Sequence, residues 1–227
     1  MNSDLITVNK LSKSYPSRQG KISVLYEIDL LIKKFEMTAI VGVSGSGKTT
    51  LLNLLGCLDR PDSGKIFYGS EEVTTLSNME LADYRNRHVG FVFQRFHLIP
   101  DLFSVENVLL PLRIAGISGT ETMERAAKVL KDVDLEDKLW SKPSELSAGQ
   151  MQRVAIARAI VNSPRVLLAD EPTGNLDSST ANEIANLLEN LTAREMAVVV
   201  ATHNLELARR CAKCYELKNG RLQETNP

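Results

Sequence analysis

No stretch of this chain is apolar for the roughly 20 residues that a bilayer crossing requires. Its strongly apolar runs are short and broken by charged or polar residues. The N-terminal "MNSDLITVNKLSKSY" lacks the basic start and apolar core of a secretory signal. The chain is therefore expected in the cytosol unless a partner holds it at a membrane. Cysteine is scarce, and the count of three is odd, which argues against a disulfide framework. Cys211 and Cys214 form a CxxC. A metal site needs more ligands, and a redox pair belongs near a βαβ unit. The two read as ordinary thiols at a helix end. Net charge is nearly absent, with 27 Lys and Arg against 28 Asp and Glu. That balance leaves no electrostatic footprint for nucleic acid as the main partner. Repeats, low-complexity tracts and linkers are absent too.

What is present is a chain of 227 residues, enough for one domain with a sizeable core. Leu5–Val8 and Ile28–Ile32 alternate like strands. Met37–Val43, Val166–Ala169 and Ala197–Ala201 are nearly continuous apolar runs, the pattern of buried parallel strands. Lys65–Tyr68 and Val89–Phe93 read as further strands. Helices are expected from Lys48 to about Leu58, with Leu51, Leu52, Leu54 and Leu55 inward, and near Thr180–Ala193. The stretch from Ser104 to Ile160 looks mainly helical, with Ser104 and Thr120 as caps. A hairpin closes around Asn219-Gly220. Strands alternating with helices predict an α/β fold with a mainly parallel core sheet. An N-terminal antiparallel β part accompanies it. Residues 1–95 and 161–227 form the core, and 96–160 an inserted helical subdomain.

"GVSGSGKT", Gly42–Thr49, follows a predicted strand and opens a predicted helix, the context of a phosphate-binding P-loop. Gly42, Gly45 and Gly47, with Ser44 and Ser46, let backbone N–H groups approach phosphates. Lys48 can neutralise the β/γ-phosphates, the Thr49 hydroxyl can ligate Mg²⁺, and Thr50 can add a contact to the α-phosphate. "VLLADEP" places Asp170 and Glu171 at the end of a buried strand. Ligands of parallel sheets lie beyond that end. Asp170 is then placed to hold Mg²⁺ through water, and Glu171 to polarise an attacking water. His203 follows another buried strand and should face the same edge. Gln94 ends "VGFVF", where its amide can meet both metal and water. His88 and His97 have no such support.

A second anion site stands about a hundred residues later. In "ELSAGQMQRVAIARA", Glu145–Ala159, a small-residue turn opens a helix. Free N–H groups and the positive helix end converge there. One nucleotide pocket does not need two such sites.

The order and spacing of "GVSGSGKT", Gln94, "LSAGQ", "VLLADE", "GNLD" and His203 resemble the nucleotide-binding subunits of ABC transporters over essentially the whole chain. That resemblance resolves the duplication. It implies two subunits packed head to tail, with Ser147, Gly149 and Gln150 of each binding the nucleotide in the other's P-loop. It also implies that Tyr15 stacks on adenine and that Asp177 communicates across the dimer. Gln94 becomes the lever toward a membrane partner, Glu171 the general base, and His203 the residue holding γ-phosphate and water. ATP and Mg²⁺ are the implied cofactors. The family usually reads Leu-Ser-Gly-Gly-Gln, and this chain has Ala148. A helical backbone there would accept alanine at no cost, whereas a positive φ would not.

The segments "VGFVFQRFHLIPDLFSVENVLLPL" and "LNLLGCLDRPDSG" are similar to one branch, which holds lipoprotein-releasing LolD-type, macrolide-exporting MacB-type and cell-division FtsE-type ATPases. The ending soon after "LKNGRLQE" fits a free-standing LolD-like or YbbA-like subunit better than a MacB-type chain with fused spans. The resemblance implies a transport motor at the cytoplasmic face of the bacterial inner membrane, held there by an integral membrane permease. An FtsE-like regulatory ATPase is the alternative. Phe96, Leu98, Ile99, Leu102 and Phe103 are expected to offer an apolar docking segment for the permease.

Overall fold

The computed structural model describes residues 4–17 and 20–226. Two long strands, β1 (Asp4–Ser17) and β2 (Gly20–Lys33), pair antiparallel. Only their Leu5–Val8 and Ile28–Ile32 portions carry the alternation that sequence reading detects. The fully buried β3 (Met37–Val41) leads through the glycine-rich loop into α1 (Lys48–Leu55). Leu51, Leu52, Leu54 and Leu55 of α1 are buried, as their spacing predicts. The helix ends at Leu55, three residues before the expected limit: Gly56 is the C-cap and Cys57, just beyond it, turns into the left-handed region at φ 57°.

Next come β4 (Ser63–Tyr68), the short β5 (Glu71–Glu72), and α2 (Asn78–His88). Then β6 (Val89–Val92) is followed by α3 (Ser104–Ile114), α4 (Thr120–Asp132) and α5 (Ala148–Ile160). The chain closes with β7 (Val166–Asp170), α6 (Ser178–Ala193), β8 (Ala197–Thr202), α7 (Leu205–Arg209), β9 (Lys213–Lys218) and β10 (Arg221–Thr225). The β9–β10 turn has positive φ at both Asn219 and Gly220, as a two-residue hairpin demands.

Two expected caps are displaced by one residue. Phe103 and Gly119 are the capping positions of α3 and α4, and Ser104 and Thr120 are their first helical residues. The Ser104 hydroxyl is occupied elsewhere, donating to the Ser141 carbonyl at 3.0 Å. Glu106 instead accepts the Phe103 N–H at 2.9 Å.

One sheet is four-stranded and antiparallel, in the order β2-β1-β4-β5. The other is six-stranded, in the order β10-β9-β3-β8-β7-β6. Its β9, β3, β8, β7 and β6 run parallel, and β10 returns antiparallel. Period-2 alternation along β7 and β8 serves both faces of this sheet. Val166, Leu168, Val199 and Ala201 join a core with α1 and the antiparallel sheet. Leu167, Ala169, Val198 and Val200 join a second core with α3, α4, α5 and α6. The parallel strands are therefore covered on both sides, which is why they read as unbroken apolar runs.

Candidate nucleotide site

The loop after β3, the start of α1, and the ends of β7 and β8 meet at one edge of the parallel sheet. They enclose a cavity of about 660 Å³, lined by Tyr15, Ser44, Gly45, Gly47, Lys48, Thr49, Thr50, Gln94, Asp170, Glu171 and His203, with Val24 and Val43. Among the described residues thirteen line it, and eleven of these are candidates named from sequence. Gly42 and Ser46 belong to the same loop but lie outside this lining.

The loop's conformation is written into its residues. Gly47 has φ 106°, in the left-handed region, and a β-carbon there would stand 2.9 Å from Val24 Cγ1. Only glycine allows the chain to turn so closely into α1. Lys48 is just 7 % exposed, and its ammonium folds back onto the Gly42 and Val43 carbonyls at 2.7 and 3.2 Å. The Ser46 hydroxyl is buried without a hydrogen-bond partner among the described residues. A tethered cation, an unpartnered hydroxyl and the open N-terminus of α1 make a cradle suited to phosphate oxygens.

Across the cavity, the Thr49 hydroxyl donates to Asp170 Oδ2 at 2.6 Å. Burial pushes the Asp170 carboxyl above its usual range, helped by the Glu171 charge and opposed by the Thr49 hydrogen bond and Lys48. A hydroxyl and a half-buried carboxylate in contact are a donor set that suits a hard divalent cation.

Glu171 has φ 47°, an uncommon conformation for a residue with a side chain. Its backbone N–H donates to the Ala201 carbonyl at 2.8 Å, which locks the turn to β8. Its carboxylate accepts from the Thr202 hydroxyl at 3.1 Å and from the His203 N–H at 3.1 Å. His203 Nδ1 lies 2.8 Å from Glu171 Oε1. The Glu171 side chain is only 13 % exposed, while that of His203 is 68 % exposed and reaches into the opening. Thr202, absent from the sequence reading, is the last residue of the "VVVAT" strand and orients Glu171. The spacing of "GNLD" gives Asn175 no role, and the structure does. Its amide donates to the Gln94 carbonyl at 3.0 Å and ties the two loops together.

The second helix start lies apart. Ser147, Gly149, Gln150 and Asp177 do not line the cavity that holds Lys48. Ser147 is the N-cap of α5, and its hydroxyl and the Gln150 side chain satisfy one another's backbone N–H groups. Ala148 is helical and has no positive φ, so alanine costs nothing there. Gly149 is buried, and a β-carbon on it would sit 2.4 Å from Thr180 Cγ2. Its missing side chain is thus explained within the chain. Asp177 caps α6 and accepts from the Thr180 hydroxyl at 2.6 Å.

Elsewhere, Cys211 and Cys214 are thiols, and burial pushes Cys211 up to about 12. His88 packs on the Tyr84 ring, and burial lowers its pKa. Of the apolar segment after Gln94, Leu98 and Phe103 pack against the core, Phe96 and Leu102 are half-buried, and Ile99 is exposed.

The family model for ABC transporters matches residues 25–174. The chain belongs to the ABC transporter ATPase family. The lipoprotein-releasing system ATP-binding protein LolD of Idiomarina loihiensis is 47 % identical over 226 residues, covering 99 % of both chains. LolD of Geobacter metallireducens is 45 % identical over 97 % of this chain and 98 % of its own. The macrolide export ATP-binding/permease protein MacB 2 of Aeromonas hydrophila is 44 % identical over 99 % of this chain, which spans only 35 % of that protein. Among solved structures, the ABC cassette MJ0796 in a dimeric post-hydrolysis state bound to ADP and Pi has a TM-score of 0.90. It is 41 % identical, and the match covers 98 % of each chain. An ABC ATPase binds and hydrolyses ATP.

Proposed function

We propose that this chain is the ATP-hydrolysing motor subunit of a bacterial inner-membrane transporter, working as a homodimer beneath a membrane permease. The observation that carries the reading is the gathering of Lys48, Thr49, Asp170, Glu171 and His203 around one cavity that excludes the chain's other anion-binding helix start. Lys48 leaves its two carbonyls to neutralise the β/γ-phosphates. Backbone N–H groups of the loop and of α1 hold the same oxygens. Thr49 and Asp170, with Gln94, would hold Mg²⁺, which neutralises phosphate charge. Glu171 takes the proton from the attacking water, and His203 orients water and γ-phosphate beside it.

Ser147, Gly149 and Gln150 then close the nucleotide of the second subunit, with Asp177 carrying the signal between the two. Among the described residues no helix is long and apolar enough to cross a membrane, in keeping with attachment at the cytoplasmic face through the permease. The LolD and MacB relatives favour lipoprotein, lipid-like or antibiotic and peptide cargo. The test is Mg²⁺-dependent phosphate release by purified wild type, Lys48→Ala and Glu171→Gln. Wild type should turn over. Glu171→Gln should fall by roughly 10²–10⁴, the range of a general base. Lys48→Ala should be silent while its circular dichroism stays native. A folded Lys48→Ala protein with wild-type turnover would reject the assignment.

A further inference from the structure

Tyr15 does not stand alone at the mouth of the cavity. Its hydroxyl donates to Asp59 Oδ2 at 2.7 Å. The other oxygen of Asp59 accepts from Lys13 Nζ at 2.7 Å, and the same ammonium donates to the Arg60 carbonyl at 2.6 Å. Lys13 Nζ also stands 5.0 Å from the centre of the Tyr15 ring. The Lys13 side chain is only 11 % exposed. Asp59 is anchored to the phosphate-binding helix through its N–H, which donates to the Asn53 carbonyl at 3.3 Å. Tyr15 and Lys13 stand two residues apart on β1, and both side chains reach Asp59 in the segment after α1. A phenol ring is free to turn about two bonds. Here its far end is fastened to a carboxylate that is itself fastened by a cation.

We propose that Asp59 and Lys13 are positioning residues that hold the Tyr15 ring at the angle on which the nucleobase of ATP stacks, so that ATP affinity depends on two side chains that do not touch the nucleotide. The proposal rests on the reading of Tyr15 as the nucleobase platform. It makes the hydroxyl of Tyr15 matter as well as its ring, because the hydroxyl is the handle by which Asp59 holds it.

The test compares Tyr15→Ala, Tyr15→Phe, Asp59→Asn, Lys13→Met and the Tyr15→Phe/Asp59→Asn pair in the full chain. The readouts are KM for ATP, kcat, and inhibition by inorganic tripolyphosphate, which carries phosphates but no base. Losing a hydrogen bond to a charged group should raise KM by about tenfold in Tyr15→Phe and Asp59→Asn, with kcat little changed. Lys13→Met should follow in the same direction. The pair should cost clearly less than the sum of the two single variants, since both remove the hydrogen bond between Tyr15 and Asp59. The Tyr15 hydroxyl also meets Thr50, and Asp59 also holds Lys13. Tripolyphosphate inhibition should stay at its wild-type strength. Equal weakening of ATP and tripolyphosphate would mean general loosening of the loop and would overturn the proposal. So would additive effects in the pair. If Tyr15→Ala raises KM while Tyr15→Phe and Asp59→Asn do not, the ring stacks unaided and the positioning role fails. If Tyr15→Ala itself leaves KM unchanged, the platform reading fails first.

Discussion

Asp170 carries a cost that its proposed role explains. It is half-buried at the end of β7, and burial raises its pKa above the ordinary 3.8. A raised folded pKa means that the native chain keeps a proton that the unfolded chain has released. The stabilisation this gives is full below 3.8 and is lost as pH rises through the raised value. At pH 7.5 the ionised carboxylate therefore opposes folding. Asp170→Asn should raise the melting temperature of the nucleotide-free protein at pH 7.5, and the gap should narrow toward pH 4. The same variant should lose Mg²⁺-dependent hydrolysis. Thermal scans at the two pH values check the first part, and a lower melting temperature for Asp170→Asn at pH 7.5 would contradict it. Residues of this kind were legible because they sit where an apolar run stops. Thr202 was not singled out, because nothing in its spacing distinguishes a hydroxyl that orients a carboxylate from one that ends a strand.

At the scale of elements, the start of α5 is keyed to α6 through a pair of small residues. Gly149 is the hole and Thr180 the filler, and Thr180 cannot rotate freely because its hydroxyl is held by Asp177. Gly149→Ala should therefore destabilise the fold by about 1–3 kcal/mol, the usual cost of overpacking. Thr180→Ser removes the methyl that clashes and keeps the hydroxyl for Asp177. Adding it to Gly149→Ala should restore most of the loss, as read by urea denaturation. No recovery would place the strain elsewhere. Ala148, one residue earlier, meets no such limit, and Ala148→Gly should leave ATPase activity within several-fold. Legibility at this scale follows burial. Strands covered on both faces announced themselves. The outer halves of β1 and β2 did not, because little of their surface is buried there. Helix α2 was also missed, since only Leu81 and Tyr84 of its residues are buried. Its signal was the capping box, Ser77 with Glu80, whose side chains satisfy one another's backbone N–H groups.

On the scale of the whole molecule, the chain presents a phosphate cradle and a separate helix start that cannot serve it. Ser147 is exposed and lies outside the cavity. Arg158, near the other end of the same helix, donates to the Phe96 and His97 carbonyls at 2.8 and 2.6 Å, just past Gln94. Helix α5 thus runs from the surface proposed for the second nucleotide to the loop proposed as the lever. On the proposed reading a single chain uses only half of this arrangement, and the other half is offered to a second copy. Glu171→Gln keeps the size and hydrogen bonding of the base but cannot take the proton, so bound ATP should persist. It also removes a negative charge beside the triphosphate. ATP and Mg²⁺ should then convert Glu171→Gln from monomer to dimer, as read by light scattering behind a sizing column. Wild type should hydrolyse its ATP and separate. Adding Ser147→Arg blocks the site offered to the partner's phosphates while leaving the P-loop intact. It also removes a helix cap, at a cost of about 1 kcal/mol, so melting temperature and ATP binding are measured alongside. The double variant should be folded, should bind ATP, and should remain monomeric. A Glu171→Gln protein that saturates with ATP yet never dimerises would show that the second helix start serves something other than a partner's nucleotide.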